Sequence, residues 1–483
     1  MSETSKNFIA GAWVDGPSTI ENINPSDLSD VIGSFAQADE EQTLTAIDAA
    51  KRAAEIWGKS GLETRHKALM AIGAELMEKS QDLGKLLSRE EGKPLAEGVG
   101  EIYRAGQFFQ YYAGEVHRQI GDTADSVRDG IEVDVRREPM GVVAVISPWN
   151  FPTATAAWKI APALAFGNAV TWKPANLTPA SAVALTEIIA KQDLPAGTFN
   201  LTMGGGGTVG ETLITSPGVN AISFTGSLPV GRRIAQAAAA NLTKFQLEMG
   251  SKNALVVMDD ADLDKAVTCA LAGAYSGTGQ KCTASSRLIV HRGVHDTFVE
   301  KLTTALKGLT VGHALAPETK VGPVVDQSQL DSNLRYLALA KSEGCELVYG
   351  GDQPQLEHRG FYMTPALFCN GRNDMTVNRE ELFAPIACVI AVDSYDEALS
   401  VTNDTEFGLT SGIVTQSLAR ASHFRRNART GCVMVNLPTA GTDYHVPFGG
   451  RGNSSFGSRE QGQYAAEFYT QVKTAYIDSG IPG

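Results

Sequence analysis

Leu69, Ile72, Leu76, Leu83 and Leu87 fall on one face of a helix, so the apolar pattern over 63–91 predicts an amphipathic α-helix. Residues 39–60 before it carry the same signature. Residues 97–115 after it continue as a helix with an aromatic face. Nearer the N terminus, Phe8 to Asp15 with a turn at Gly11 reads as a short hairpin. Residues 131–137 alternate polar and apolar and predict a strand suited to a sheet edge. From residue 142 the texture changes. Val142–Ile146 is an unbroken apolar run, and strand-like segments at 169–172, 199–203 and Ala221–Thr225 alternate with helical patterns at 154–166, 180–190 and 230–240. Buried strands alternating with helices predict a parallel sheet covered by helices. The second half repeats the texture without repeating the sequence, with strands at 253–258, 287–290, Ile386–Val392 and 411–414 and helices at 263–275 and 294–309. A strand-like segment at 472–477 closes the pattern. The fold class is α/β.

A chain of 483 residues exceeds one ordinary core, so two or three domains are expected. Its composition, 43% hydrophobic and 20% charged, is that of a globular protein. A net charge of -13 without a Lys/Arg-rich run argues against nucleic-acid binding. The six cysteines show no metal or redox spacing and form no disulfide framework, which points to a reducing compartment, the cytoplasm. The first residues lack a signal-peptide h-region, and the apolar stretch at 141–146 is too short to cross a bilayer. His291 and His295 lie four apart without a third ligand, so no metal site is expected.

Three polar residues interrupt otherwise apolar or rigid segments. Cys282 sits in Gly277-Thr-Gly-Gln-Lys-Cys282, a glycine-punctuated loop with Lys281 beside it. A thiol in such a setting can ionise and attack. Glu248 ends a strand-like run before Gly250, where burial would raise its pKa and make it a usable base. Asn150 stands between Pro148 and Pro152 at the end of a buried strand, where its amide can donate to an oxyanion. Read singly, each has an ordinary alternative: an incidental loop cysteine, a surface glutamate, a loop asparagine.

Taken together, Pro148-Trp-Asn-Phe-Pro152, Phe224-Thr-Gly-Ser227, Leu247-Glu-Met-Gly250, Gly279-Gln-Lys-Cys282 and Pro447-Phe-Gly-Gly450 resemble the aldehyde dehydrogenase superfamily, in its order and over nearly the whole chain. The resemblance implies that Cys282 attacks an aldehyde carbonyl while the Asn150 amide and the Cys282 N–H hold the oxyanion. The thiohemiacetal then passes hydride to a nicotinamide, and Glu248 activates water to release a carboxylate. Acylating relatives typically lack this glutamate, so hydrolysis to an acid is expected. The implied cofactor residues are Lys173, Asn176, Trp149, Gly207, Gly226, Ser227, Gly231, Glu381 and Phe383. NAD-preferring relatives often carry Glu where Asn176 stands. Without that carboxylate Lys173 is free to pair with a 2′-phosphate, so NADP is expected to be accepted at least as well as NAD. Ser251 replaces a usual glycine and would be strained if the position needs φ > 0. Ala384 replaces another.

For the substrate, the arginines of succinate-semialdehyde relatives are missing, with Trp158 and Ser276 in their places. Trp158 and Phe151 form an aromatic wall. Arg104 and Tyr111 lie seven apart on the expected helix, roughly on one face, where Arg104 could grip a distal carboxylate. The phrases around Cys282 and at Ser458-Arg-Glu-Gln-Gly462 are similar to the 2-oxoglutarate (α-ketoglutaric) semialdehyde dehydrogenase branch. The leading substrate is therefore 2,5-dioxopentanoate. The alternatives are other semialdehydes, uncharged aliphatic or aromatic aldehydes, or a non-catalytic protein on the same scaffold. The resemblance also implies a Rossmann-like cofactor domain (1–117 and 140–250), a catalytic domain (251–465) and a small β oligomerisation arm (118–139 and 466–483) in a homodimer or homotetramer.

Overall fold

The computed structural model describes residues 4–480. Among them the apolar runs expected to be buried form two mainly parallel sheets. The first has eight strands. Its parallel centre places Lys244–Glu248, Ala221–Thr225, Val142–Ile146, Ala169–Lys173 and Phe199–Leu201 side by side. Antiparallel edges close it at Ser455–Phe456 on one side and at the hairpin Asn7–Ile9/Ala12–Val14 on the other. Val142, Val143, Ala144 and Val145 are fully buried, as a strand covered on both faces requires.

The second sheet has seven strands in the order Glu346–Tyr349, Ala366–Cys369, Ile386–Val392, Arg287–His291, Ala254–Val257, Thr410–Val414, Cys432–Val435, with only the first antiparallel. Register brings the C-terminal ends of neighbouring strands level, Ile146 beside Lys173 and Thr225 beside Glu248. The α/β class read from the pattern is therefore borne out. No described helix is long and apolar enough to cross a membrane.

Two departures from the pattern have clear causes. The helix expected over 63–91 is two helices, Leu62–Glu78 and Ser80–Glu91, broken at Lys79 (φ -90°, ψ 12°). The leucine periodicity continues across the break because both halves pack on the long helix Leu95–Glu115. A two-stranded sheet, Ser18–Ile23 with Val31–Gln37, was not expected. Only part of it is buried, so its apolar signal is weak. The C-terminal strand Thr470–Asp478 pairs antiparallel with Ile131–Pro139, which in turn pairs with Asp122–Asp125, in a separate three-stranded sheet.

Candidate active site

Cys282 lies just beyond a tight turn, Ser276–Gly279, in which Gly277, Thr278 and Gly279 all take left-handed φ values of 58°, 56° and 68°. Gly279 cannot be replaced: a Cβ there would lie 2.1 Å from the Ala384 carbonyl oxygen. The loop is clamped by groups distant in sequence. The Asn253 amide donates to the carbonyls of Cys282 (2.7 Å) and Ala284 (2.9 Å). Asn150 Nδ2 donates to the Gln280 carbonyl at 3.0 Å. One of its two amide protons is thereby used and the other is left for a ligand. Asn150 is itself positioned by Lys93, a fully buried lysine whose ammonium donates to the Asn150 carbonyl and to Glu101 (2.7 Å) and lies 4.1 Å over the Phe151 ring.

Glu248, at the end of its strand, accepts a 2.6 Å hydrogen bond from Ser455 on the antiparallel edge strand. Burial holds its carboxyl well above the usual carboxylate range, the neighbouring Glu460 carboxylate adds to this, and the Ser455 hydroxyl opposes it. Glu460 is tied in turn to the buried Lys159 and to Ser223. The Cys282 thiol is also pushed up, first by burial and then by the carboxylates of Glu381 and Glu248, against its own backbone N–H. Lys281, expected as the activating cation, does not serve that role. Its ammonium is 3.2 Å from Glu97 and donates to Ser276 Oγ at 2.8 Å.

The thiol lies on the wall between two cavities, both lined by Cys282, Phe151, Trp158 and Phe448. The first, about 230 Å³, gathers Trp149, Asn150, Thr225, Gly226, Ser227, Glu248, Glu381 and Phe383. Trp149 meets Phe383 edge to face at 5.4 Å. Phe383 has a left-handed φ of 56° and its carbonyl is held by Gln329 Nε2 (3.2 Å). Glu381 accepts from the Ser251 N–H (3.0 Å) and packs where a Cβ on Gly250 would lie 1.7 Å from its carboxylate. Burial raises the Glu381 carboxyl to about 7. Ser251 is not in the left-handed region, so the strain expected from replacing glycine is absent. Its hydroxyl instead accepts from the Leu409 N–H.

The remaining cofactor candidates lie around this cavity and do not line it. Lys173 is at the C-terminal end of the adjacent strand, its ammonium on the Pro174 carbonyl (2.9 Å) and its pKa lowered by burial to about 8. Asn176 is exposed beyond it. Gly231 packs the following helix against Met249, whose sulfur a Cβ would meet at 2.3 Å. Gly207 lies outside, in a separate surface depression with Glu40 and Leu44.

The second cavity, about 470 Å³, is lined by Arg104, Phe108, Trp158, Lys281, Thr283 and Gln461 among others. Arg104 stacks over Tyr444 at 5.3 Å. Tyr111 does not join it. Its ring packs on Tyr112 and Tyr444 and borders a different depression with Glu115 and Arg118. Seven residues of helix rise about 10 Å, which carries Tyr111 past the cavity.

The arrangement is that of an α/β enzyme with a cysteine thiol placed between two ligand cavities. The chain belongs to the aldehyde dehydrogenase family, whose sequence profile matches residues 13–475. It is 40% identical over 480 residues, 98% of each chain, to the alpha-ketoglutaric semialdehyde dehydrogenase of Bacillus subtilis (strain 168). Its fold is similar to the crystal structure of betaine aldehyde dehydrogenase from Staphylococcus aureus in complex with NAD+ (TM-score 0.96, 32% identity, 99% of this chain and 96% of that one). It is likewise similar to that of an E. coli NADP dependent enzyme (TM-score 0.95, 35% identity, 98% of each chain).

Proposed function

We propose that the chain oxidises 2,5-dioxopentanoate to 2-oxoglutarate with NADP or NAD. The observation that carries the substrate class is Arg104. Four charged side chains line the second cavity; Glu97 and Lys281 neutralise each other, and Glu101 is neutralised by the buried Lys93. Arg104 alone has no ion-pair partner among the described residues. An unpaired guanidinium on the lining of an aromatic-walled cavity that also holds the thiol fits a substrate with a carboxylate at the end away from its aldehyde. The name of the B. subtilis relative agrees with that chemistry.

The first cavity suits a dinucleotide. Ser227 stands at the N-cap of the helix Leu228–Asn241, and its hydroxyl oxygen accepts from no backbone N–H among the described residues, which leaves that helix start open to a pyrophosphate. Thr225 Oγ1 is buried without a partner among the described residues. Glu381 would hold ribose hydroxyls, with Trp149 and Phe383 as walls. When bound, an oxidised nicotinamide dinucleotide supplies the hydride acceptor. The absence of a carboxylate at Asn176 and the ammonium of Lys173, present below about pH 8 and lost as pH rises through it, favour acceptance of a 2′-phosphate.

Cys282 is the nucleophile. It forms a thiohemiacetal whose oxygen is held by Asn150 Nδ2 and the Cys282 N–H, each such donor contributing about 3 kcal/mol. Glu248 removes a proton from the water that opens the thioester. The exposed edge strand Thr470–Asp478 and its sheet serve as an oligomerisation arm, with the first sheet as cofactor domain and the second as catalytic domain. Steady-state kinetics of wild type and Arg104→Ala test the reading. Loss of the arginine should raise KM for 2,5-dioxopentanoate at least tenfold more than for hexanal. Equal effects, or a large preference for NAD over NADP, reject the corresponding part.

A further inference from the structure

One polar side chain in the second cavity is not used by the mechanism above. Gln461 follows Glu460, whose backbone exchanges hydrogen bonds with Phe448 (2.7 and 3.0 Å). The Glu460 carboxylate reaches back to Lys159 and Ser223, whereas Gln461 lines the cavity with Phe108, Trp158 and Phe448. Gln461 is 1% exposed, and neither Nε2 nor Oε1 has a hydrogen-bond partner among the described residues. Its backbone is left-handed (φ 63°), a conformation disfavoured for a residue with a side chain. The next carbonyl, of Gly462, accepts from the buried Tyr112 hydroxyl at 3.2 Å. The position is thus held rigidly from behind.

A buried primary amide with its donors and acceptor all unmatched is unfavourable unless a ligand or water in the adjoining space completes it. The aromatic neighbours would accommodate a leucine of similar size without that penalty. Trp158, on the same lining, also has its Nε1 buried without a partner among the described residues. The lining of this one cavity therefore combines the Cys282 thiol, the unpaired amide of Gln461, the indole of Trp158 and the Arg104 guanidinium. A ligand that uses all of these groups carries an aldehyde, a hydrogen-bond acceptor and a carboxylate.

We infer that Gln461 is the residue that recognises the 2-oxo group of the substrate, its Nε2–H donating to the ketone oxygen next to the carboxylate. The inference rests on the reading of 2,5-dioxopentanoate as substrate. It extends that reading by assigning the discrimination between a 2-oxo semialdehyde and the same chain without the ketone. A site built to donate to a substrate oxygen disfavours an analogue that lacks it, because the buried donor is then left unpaired.

The uncharged pair 4-oxopentanal and pentanal isolates this contact from the carboxylate, since the ketone stands at the same distance from the aldehyde as in 2,5-dioxopentanoate. In the wild-type enzyme kcat/KM should favour 4-oxopentanal. In Gln461→Leu the ratio of the two kcat/KM values should fall by about tenfold or more. Gln461→Met, unbranched and of similar length, gives the same readout if leucine fails to pack. A merely structural role for Gln461 would lower both substrates together and leave the ratio unchanged, and that result overturns the assignment. Arg104→Ala measured with 2,5-dioxopentanoate against 4-oxopentanal reports separately on the carboxylate. If that ratio does not move while the Gln461 ratio does, the carboxylate reading falls and the ketone contact stands; the converse result removes the ketone contact alone.

Discussion

The Cys282 proton is held by its surroundings more tightly than that of a free cysteine, because burial and two nearby carboxylates all disfavour the thiolate. The sign is therefore fixed. Inactivation of the free enzyme by iodoacetamide should keep rising with pH and show no plateau below about pH 9, above the usual thiol value of about 8.5. Glu248→Gln removes one of the opposing negative charges and should shift that curve to lower pH. The same variant should retain a burst of reduced cofactor while steady-state turnover falls by about 10²–10⁴-fold, since acylation needs the thiol and only hydrolysis needs the base. A burst lost together with turnover would count against the assigned role. At this scale Cys282, Glu248 and Asn150 were legible because each is a polar group interrupting an apolar or proline-bracketed segment. Lys281 misled for the converse reason: adjacency in sequence says nothing of where a long side chain finds its counter-charge, here Glu97. Lys93, a lysine between a glycine and a proline, carried only a faint signal of its burial against Glu101 and Asn150.

Asn253 shows how one element disciplines another. It directly precedes the strand Ala254–Val257, its amide holds two carbonyls of the nucleophile loop, and its Oδ1 accepts from the Thr410 N–H at 2.9 Å on the neighbouring strand. Asn253→Ala leaves that N–H unpaired in the interior, which should cost about 1–3 kcal/mol. Urea unfolding should register the loss, and kcat/KM should fall by about tenfold or more through misplacement of the thiol. Asn253→Asp sets a second carboxylate oxygen against the Cys282 and Ala284 carbonyls in the interior and should recover neither stability nor activity. The elements most visible in the sequence are those with strong periodicity, the parallel strands and the helices over them. Gln327–Ser342 and Leu418–Asn427 did not stand out. Each buries a narrow stripe, the second only Phe424, so the apolar pattern has little to report.

In the whole molecule the three-stranded sheet stands apart from both larger sheets. Val133 and Val135 lie opposite Tyr476 and Thr474 in register, and Val472 continues the same face. Val472 and Tyr476 are 59% and 62% exposed. An apolar face with a free strand edge and no core beneath it is suited to pairing between subunits. Val472→Lys combined with Tyr476→Lys should lower the mass found by analytical ultracentrifugation by half or more without changing the far-UV circular dichroism; an unchanged mass would place the interface elsewhere. The sequence by itself determined the α/β class and the family and singled out the trio proposed to react, because buried strands, glycine turns and the polar residues interrupting them are local constraints written in adjacent positions. Only the tertiary structure decided that Cys282 lines two cavities, that Tyr111 lies beyond the second, and that among the described residues Arg104 is the unpaired charge on that cavity and the Gln461 amide is buried without a partner. Each of those facts depends on which distant segments meet, and whether a charge or an amide is satisfied is a property of its neighbours in space.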